Sequence, residues 1–411
     1  MDNVTHSLFG YALGRAFDRG DSRSRALLAS SVVASNVPDL DFVTGFFAED
    51  RRLDYLLQHR GFTHTLVFAL VLGAIAGLCC ALALRLKPSR DRLAVSAFGA
   101  AAALLHIACD WLNDYGVHPL YPFDDHWFYG DAVFIIEPLW LAALLPLPAL
   151  FAWTRTGRVL SFSLGVGVLG LSWFVLPAGR AAAVSAFELA AVALQWKAGP
   201  RALPALAASA VLLSTFVVGS RMSDSQVRAA LRAAAPGERV LDIASSPTPA
   251  DPSCHRALVV SLDTSGTYRV RVARSQLFGS AAACQLLPGQ PTAPLKASDI
   301  SGSDRVRFES VFTAPVAQLA ELARTHCDAR AMLRFLRVPF WLERRDETVL
   351  GDLRYDRAPT IEFAERVLTG HCGNVERGVP WIPPRDELLR YFLTQNGLMP
   401  GTPSAERSKQ R

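Results

Sequence analysis

Six of the nine histidines in this 411-residue chain fall in its first 126 positions, interleaved with aspartates. His6 stands in Thr5-His6-Ser7-Leu8, and the pattern returns as Thr63-His64-Thr65-Leu66. Threonine is a good N-cap, so the repeat predicts an imidazole at each of two helix starts. In His59-Arg60-Gly61-Phe62-Thr63-His64 a further imidazole precedes the second copy, and Gly61 offers the turn that brings both together. Upstream, Pro38 in Asn36-Val37-Pro38-Asp39-Leu40-Asp41 ends a short helix and leaves two carboxylates in extended chain, pointing the same way. His106 and Asp110 are one helical turn apart in an apolar segment and share a face.

Imidazole and carboxylate together suit zinc, with manganese or iron as alternatives. The expected ligands are His6, Asp39, His59, His64, His106 and Asp110, a set large enough for one or two divalent ions. Asp41, or Glu137 beside Pro138, is placed to act as general base, and Arg60 to hold a phosphate through two N–H groups. Taken singly, each residue has a plainer reading: an interfacial histidine, a turn aspartate, a structural His-Asp hydrogen bond, an arginine anchor. Four separate segments delivering the same residue types favour a metal over those readings.

The elements that must position these residues are apolar. Hydrophobic residues make up 51% of the chain, an excess that belongs in a bilayer. Apolar stretches run over 65–86, 93–109, 133–153, 159–176, 181–196 and 202–220, each near the length that crosses a hydrocarbon core of roughly 30 Å. Residues 1–14 and 26–38 are shorter and read as half-helices of a re-entrant hairpin. Basic residues cluster at Arg15 to Arg25, Arg85 to Arg92, Arg155 to Arg158 and Lys197 to Arg201. The positive-inside rule puts these four clusters in the cytoplasm, and 36–64, 106–131, 177–180 and everything after 221 on the other face. The net charge of +5 is thus spent on topology, and nucleic acid is not an expected partner.

The fold class expected is mainly α: a polytopic helical membrane domain over 1–220, followed by a C-terminal soluble α+β domain over 221–411. Within the latter, 257–274, 304–313 and 339–356 alternate like strands and 315–336 is amphipathic. Cys254, Cys284, Cys327 and Cys372 all lie there, an even number that fits two disulfides in an oxidising compartment, with three pairings open.

Together, Thr-His-Ser-Leu at the N-terminus, Pro-Asp-Leu-Asp at 38–41, His-Arg-Gly-Phe-Thr-His at 59–64 and His106 through Asp110 to Tyr115-Gly116 resemble the bacterial inner-membrane family described as membrane-bound metal-dependent hydrolases, the YdjM-like group. The resemblance covers roughly residues 1–150. It implies a multi-pass inner-membrane protein with a metal-dependent hydrolase activity and leaves the substrate open. The leading expectation is hydrolysis of a phosphoester or ester in a lipid or envelope-derived substrate through a metal-activated water, with the site and the C-terminal domain facing the periplasm as the charge pattern places them. The His106, Asp110 spacing is also similar to one ligand motif of zinc-dependent phospholipases C. Two other classes use the same residues: a transporter or metal-handling protein with the cluster along its path, and an envelope scaffold with a structural metal. Stretches 159–220 hold almost no charge apart from Glu188, which favours the hydrolase over the transporter. The bilayer and its lipids are the expected partners; no protein partner is identified.

Overall fold

The computed structural model describes residues 1–371 apart from 47, 88, 125 and 345. Ten helices build the N-terminal half: α1 (Asn3–Ala16), α2 (Ser22–Ala34), α3 (Arg51–Gln58), α4 (Leu66–Ala83), α5 (Ser89–Trp111), α6 (Pro138–Leu144), α7 (Pro146–Phe151), α8 (Arg155–Val175), α9 (Ala178–Ala198) and α10 (Leu203–Ala234). Of these, α4, α5, α8 and α10 are long and apolar enough to cross a membrane. The other two expected stretches behave differently. Pro146 breaks the third into α6 and α7, and α9 is long but carries Arg180, Glu188 and Lys197.

Helices α1 and α2 form an antiparallel hairpin that packs against α5. Helices α4 and α5 form a second hairpin whose closeness depends on glycine. A Cβ on Gly73 would lie 2.5 Å from the Gly99 carbonyl oxygen, and one on Gly99 would lie 2.3 Å from that of Gly73. Because both pairs are hairpins, the N-terminal ends of α1 and α4 lie at the same side as the C-terminal ends of α2 and α5. The His and Asp motifs sit at these ends, and the Arg15 to Arg25 and Arg85 to Arg92 clusters at the opposite ones.

Beyond the apolar part of α10 the chain turns to sheet, with β1 (Arg239–Thr248), β2 (Asp251–Leu262), β3 (Thr267–Gln276), β4 (Lys296–Ala297) and β5 (Val306–Pro315). These pair antiparallel in the order β1-β2-β3-β5-β4. After α11 (Val316–Thr325) and α12 (Cys327–Met332), strands β6 (Pro339–Arg344), β7 (Glu347–Asp352) and β8 (Glu365–Val367) make a second, three-stranded sheet. The α+β class is as expected, but 257–274 and 339–356 are hairpins rather than single strands. Turns at Asp263 to Gly266 and between Arg344 and Glu347 interrupt their alternation.

Strand β2 is buried on both faces. Ala257 and Val259 pack with Val227 and Leu231 of α10, and Leu258 and Val260 face α11, α12 and the second sheet. The latter core also takes in Leu53, Leu56 and Leu57 of α3 together with Tyr115, so the helical half contributes side chains to the β half. Ion pairs add to this junction, one of them around a buried arginine. Arg337 holds Asp131 at 2.6 Å and Asp242 at 2.8 Å, and Arg366 reaches Asp50, the N-cap of α3. Cys254 and Cys284 are disulfide-bonded. Cys372 lies outside the described residues.

Candidate metal centre

Asp39, His64, His106 and Asp110 each bring one ligand atom to a common point, with all four atoms within 4.8 Å of one another. They come from three parts of the chain: Asp39 from the 3-10 segment Pro38–Phe46 after α2, His64 from the turn before α4, and His106 and Asp110 from positions one turn apart near the end of α5. His64 Nε2 lies 3.2 Å from His106 Nε2 and from Asp110 Oδ2, and 3.3 Å from Asp39 Oδ1. His106 Nε2 lies 3.4 Å from Asp110 Oδ2 and 3.5 Å from Asp39 Oδ1. Four ligands held tetrahedrally at about 2.0–2.1 Å from zinc are separated by about 3.3 Å, so these edges fit such an ion. Asp110 Oδ2 is buried and faces the Nε2 atoms of His64 and His106, the neighbours it would share with a cation.

The other ring nitrogens are already engaged. His106 Nδ1 is 2.8 Å from the Ser35 carbonyl, and His64 Nδ1 is 3.3 Å from Asp41 Oδ2. Both contacts turn Nε2 toward the common point, the arrangement by which metal-binding imidazoles are oriented. Asp41 also accepts from the Arg60 N–H at 2.8 Å and the Thr63 hydroxyl at 3.1 Å, and contacts His59 Nδ1 at 3.0 Å. Burial alone would raise the Asp41 carboxyl, but hydrogen bonds with His59 and His64 outweigh it and hold Asp41 below the usual carboxylate range. Burial would likewise lower the His64 imidazole, whereas Asp110, Asp39 and Asp41 push it up to about 10. Such a field favours cations.

His6 and Arg60 close the opposite side. The His6 ring stacks on His106 at 3.8 Å, and its Nε2 lies 3.2 Å from Asp110 Oδ1. Arg60 donates to Asp110 Oδ1 at 2.9 Å, to Asn113 Oδ1 at 3.0 Å and to the Asp110 and Gly116 carbonyls, with the Tyr115 ring beneath its guanidinium. The Met1 amino group also reaches Asp110 Oδ1. This oxygen is therefore already engaged by the Arg60 guanidinium, and Asp39, His64, His106 and Asp110 converge on one point.

Several local expectations are corrected. Asp2, not Thr5, caps α1, with Thr5 one turn inside it, and Thr65 rather than Thr63 caps α4. Asp39 and Asp41 lie in a 3-10 turn rather than extended chain, and instead of pointing the same way they meet opposite ring nitrogens of His64. The sharp turn is made by Arg60, at φ 59°, and not by Gly61. Glu137 is not among the converging residues; it caps α6 and accepts from the Ala250 N–H at 3.1 Å.

A cavity of about 590 Å³ opens over the centre, lined by Asp39, His59 and Arg60, by Tyr55 and Tyr115, and by Tyr355 and Phe363 from the β half. Phe42, Ile135 and Ile136 also line it and are exposed. Tyr115 belongs to a loop that the sequence offers as a roof, but the share of Tyr355 and Phe363 was not legible, because they belong to no motif and lie roughly 250 to 320 residues from the ligands they cover.

Residues 1–181 match the family model described as YdjM inner membrane protein, which carries the resemblance read from the motifs across α1 to α8 and into α9. No curated protein and no solved structure matches the chain.

Proposed function

Starting from a YdjM-type inner membrane region, we propose that this protein is a membrane-bound metal-dependent hydrolase, acting on a phosphoester or ester bond of a lipid or envelope-derived substrate. The observation that carries this reading is the convergence of Asp39, His64, His106 and Asp110, at tetrahedral edge lengths, beside a cavity with an exposed apolar rim. A zinc ion held there would act as a Lewis acid, making a water nucleophilic near neutral pH and bearing the negative charge that develops.

The chain's own groups do the rest. Asp41 positions His64 and also supports His59, which lines the cavity and accepts the proton from the attacking water. Arg60 positions Asp110 rather than clamping substrate, since its terminal nitrogens are spent on protein acceptors. His6 packs against His106 as a wall of the centre. Phe42, Ile135 and Ile136 provide apolar contact for an acyl or prenyl chain at the cavity mouth. The disulfide between Cys254 and Cys284, and the basic clusters at the far ends of the helices, support a periplasmic site and β domain.

The deciding experiment is elemental analysis of the purified protein beside a His106→Ala, Asp110→Ala variant, followed by a phosphatase and lipase panel on both. Zinc near one equivalent in the native chain, its loss in the variant and a hydrolytic activity lost with it are expected. Equal metal content in the two proteins overturns the centre; metal without any metal-dependent turnover overturns the hydrolase and leaves a structural ion.

A further inference from the structure

A second group of acidic side chains lies in the β half, away from any histidine. Asp356, Glu362 and Glu365 each place one carboxylate oxygen within 4.8 Å of the others. All three belong to the segment linking β7 to β8, with Glu365 the first residue of β8. Asp356 is 1% exposed and accepts from the backbone N–H groups of Thr292 and Ala293 at 2.6 and 2.8 Å. Glu362 accepts from the N–H groups of Arg357 and Ala358 at 2.8 and 3.1 Å. Glu365 differs: it is 4% exposed, and neither carboxylate oxygen has a hydrogen-bond donor.

No lysine, arginine or histidine lies within ion-pair distance of the three among the described residues. The cations around them are engaged elsewhere. Arg256, whose charge is felt at Asp356, gives both terminal nitrogens to the Leu353 carbonyl. The guanidinium of Arg357 sits over the Phe134 ring, and Arg366 pairs with Asp50 and Asp328. Buried carboxylates this close repel one another unless a positive charge joins them, and a single shared proton would still leave two negative charges.

We propose that Asp356, Glu362 and Glu365 form a second cation site, for calcium, that staples the segment carrying Tyr355 and Phe363 over the cavity of the first. The donor set is all oxygen, which selects a hard ion. Calcium accepts bidentate carboxylates in irregular geometry, whereas magnesium demands near-octahedral order and keeps much of its water. Placement supplies the role. Tyr355 and Phe363 line the cavity over the His/Asp centre, their rings 5.4 Å apart, and Tyr115 lies 6.1 Å from each. The proposed ligands flank both aromatic residues in sequence, so an ion bound there closes the segment on itself and against the Thr292 loop.

The test is terbium luminescence on the full chain in detergent, sensitised by nearby tyrosine, with displacement by calcium. Glu365→Gln is expected to weaken apparent calcium affinity at least about ten-fold, while Asp39→Asn, at the other centre, leaves it unchanged. If Glu365→Gln does not fold, Glu362→Gln replaces it, with the same loss expected. Native-like calcium affinity in these variants overturns the site, as does dependence on Asp39. Displacement by magnesium at the same concentration overturns calcium as the occupant. A native chain without terbium signal, together with a Glu365→Gln variant of raised melting temperature, assigns the trio to a shared proton and sinks the proposal. Zinc content at the His/Asp centre is read separately, so failure here leaves the proposed hydrolase standing.

Discussion

His64 and His106 each have two ring nitrogens, and in both the one facing away from the centre is held by an acceptor: Asp41 for His64, the Ser35 carbonyl for His106. Orientation of this kind tunes affinity without supplying a ligand. Asp41→Asn is therefore expected to keep the fold and the four ligands while weakening zinc about 10–100-fold, measured by competition with a chelator. Unaltered affinity would remove Asp41 from the positioning role. At this scale the sequence was informative about residue types and poor about duties. His59, His64 and Asp41 were visible as a group, but nothing in their spacing could show that Asp41 stands behind His64 and against His59. That depends on a positive-φ turn at Arg60, a conformation rare for residues with a side chain.

Among the elements, the α4 and α5 hairpin decides whether His64 and His106 meet. Its backbones touch at Gly73 and Gly99, with no room for a Cβ. Gly99→Leu is expected to cost about 1–3 kcal/mol as overpacking and to lower zinc content by separating the ligands. A variant with full zinc occupancy would show that the centre tolerates a wider hairpin. In β2, burial pushes His255 down to about 4, although Asp251 opposes it. A histidine free in the unfolded chain titrates near 6.5, so the folded state binds fewer protons between the two values. Stability from this residue is complete above about 6.5 and lost as pH falls toward 4. His255→Leu should thus show a smaller fall in melting temperature between pH 7 and 4.5 than the native chain; an equal fall would place the acid sensitivity elsewhere. The apolar stretches were readable as helices because length and hydropathy are local properties. The break at Pro146 was equally local, yet within an apolar run it left hydropathy unchanged.

For the whole molecule, the junction between helical and β halves is the feature with most at stake. Arg337 is buried between Asp131 and Asp242, and removing one partner of such a pair leaves the others uncompensated. Arg337→Ala should cost about 3 kcal/mol, the low end for buried pairs because both carboxylates keep some solvent contact. Thermal melts read the cost directly, and a change under about 0.5 kcal/mol, the range of ordinary surface substitutions, would mark the pair as incidental. The roof makes a separate prediction. Phe363→Ala enlarges the cavity without touching a ligand, so zinc content should persist while turnover of a lipid substrate falls. Parallel loss of both would mean that the roof supports the ligands rather than the substrate.

What the sequence determined by itself is what short-range chemistry can encode: apolar segments for a bilayer, a β-rich domain after them, and His and Asp motifs at helix ends on one face. The tertiary structure alone decided which of those residues converge, that the convergence is on one point, and that Tyr355 and Phe363 cover it. Ligand geometry is a distance between segments. Here the distances from His64 to His106 and from Tyr115 to Phe363 are set by glycine contacts, aromatic packing and buried ion pairs, none of which leaves a periodic trace along the chain.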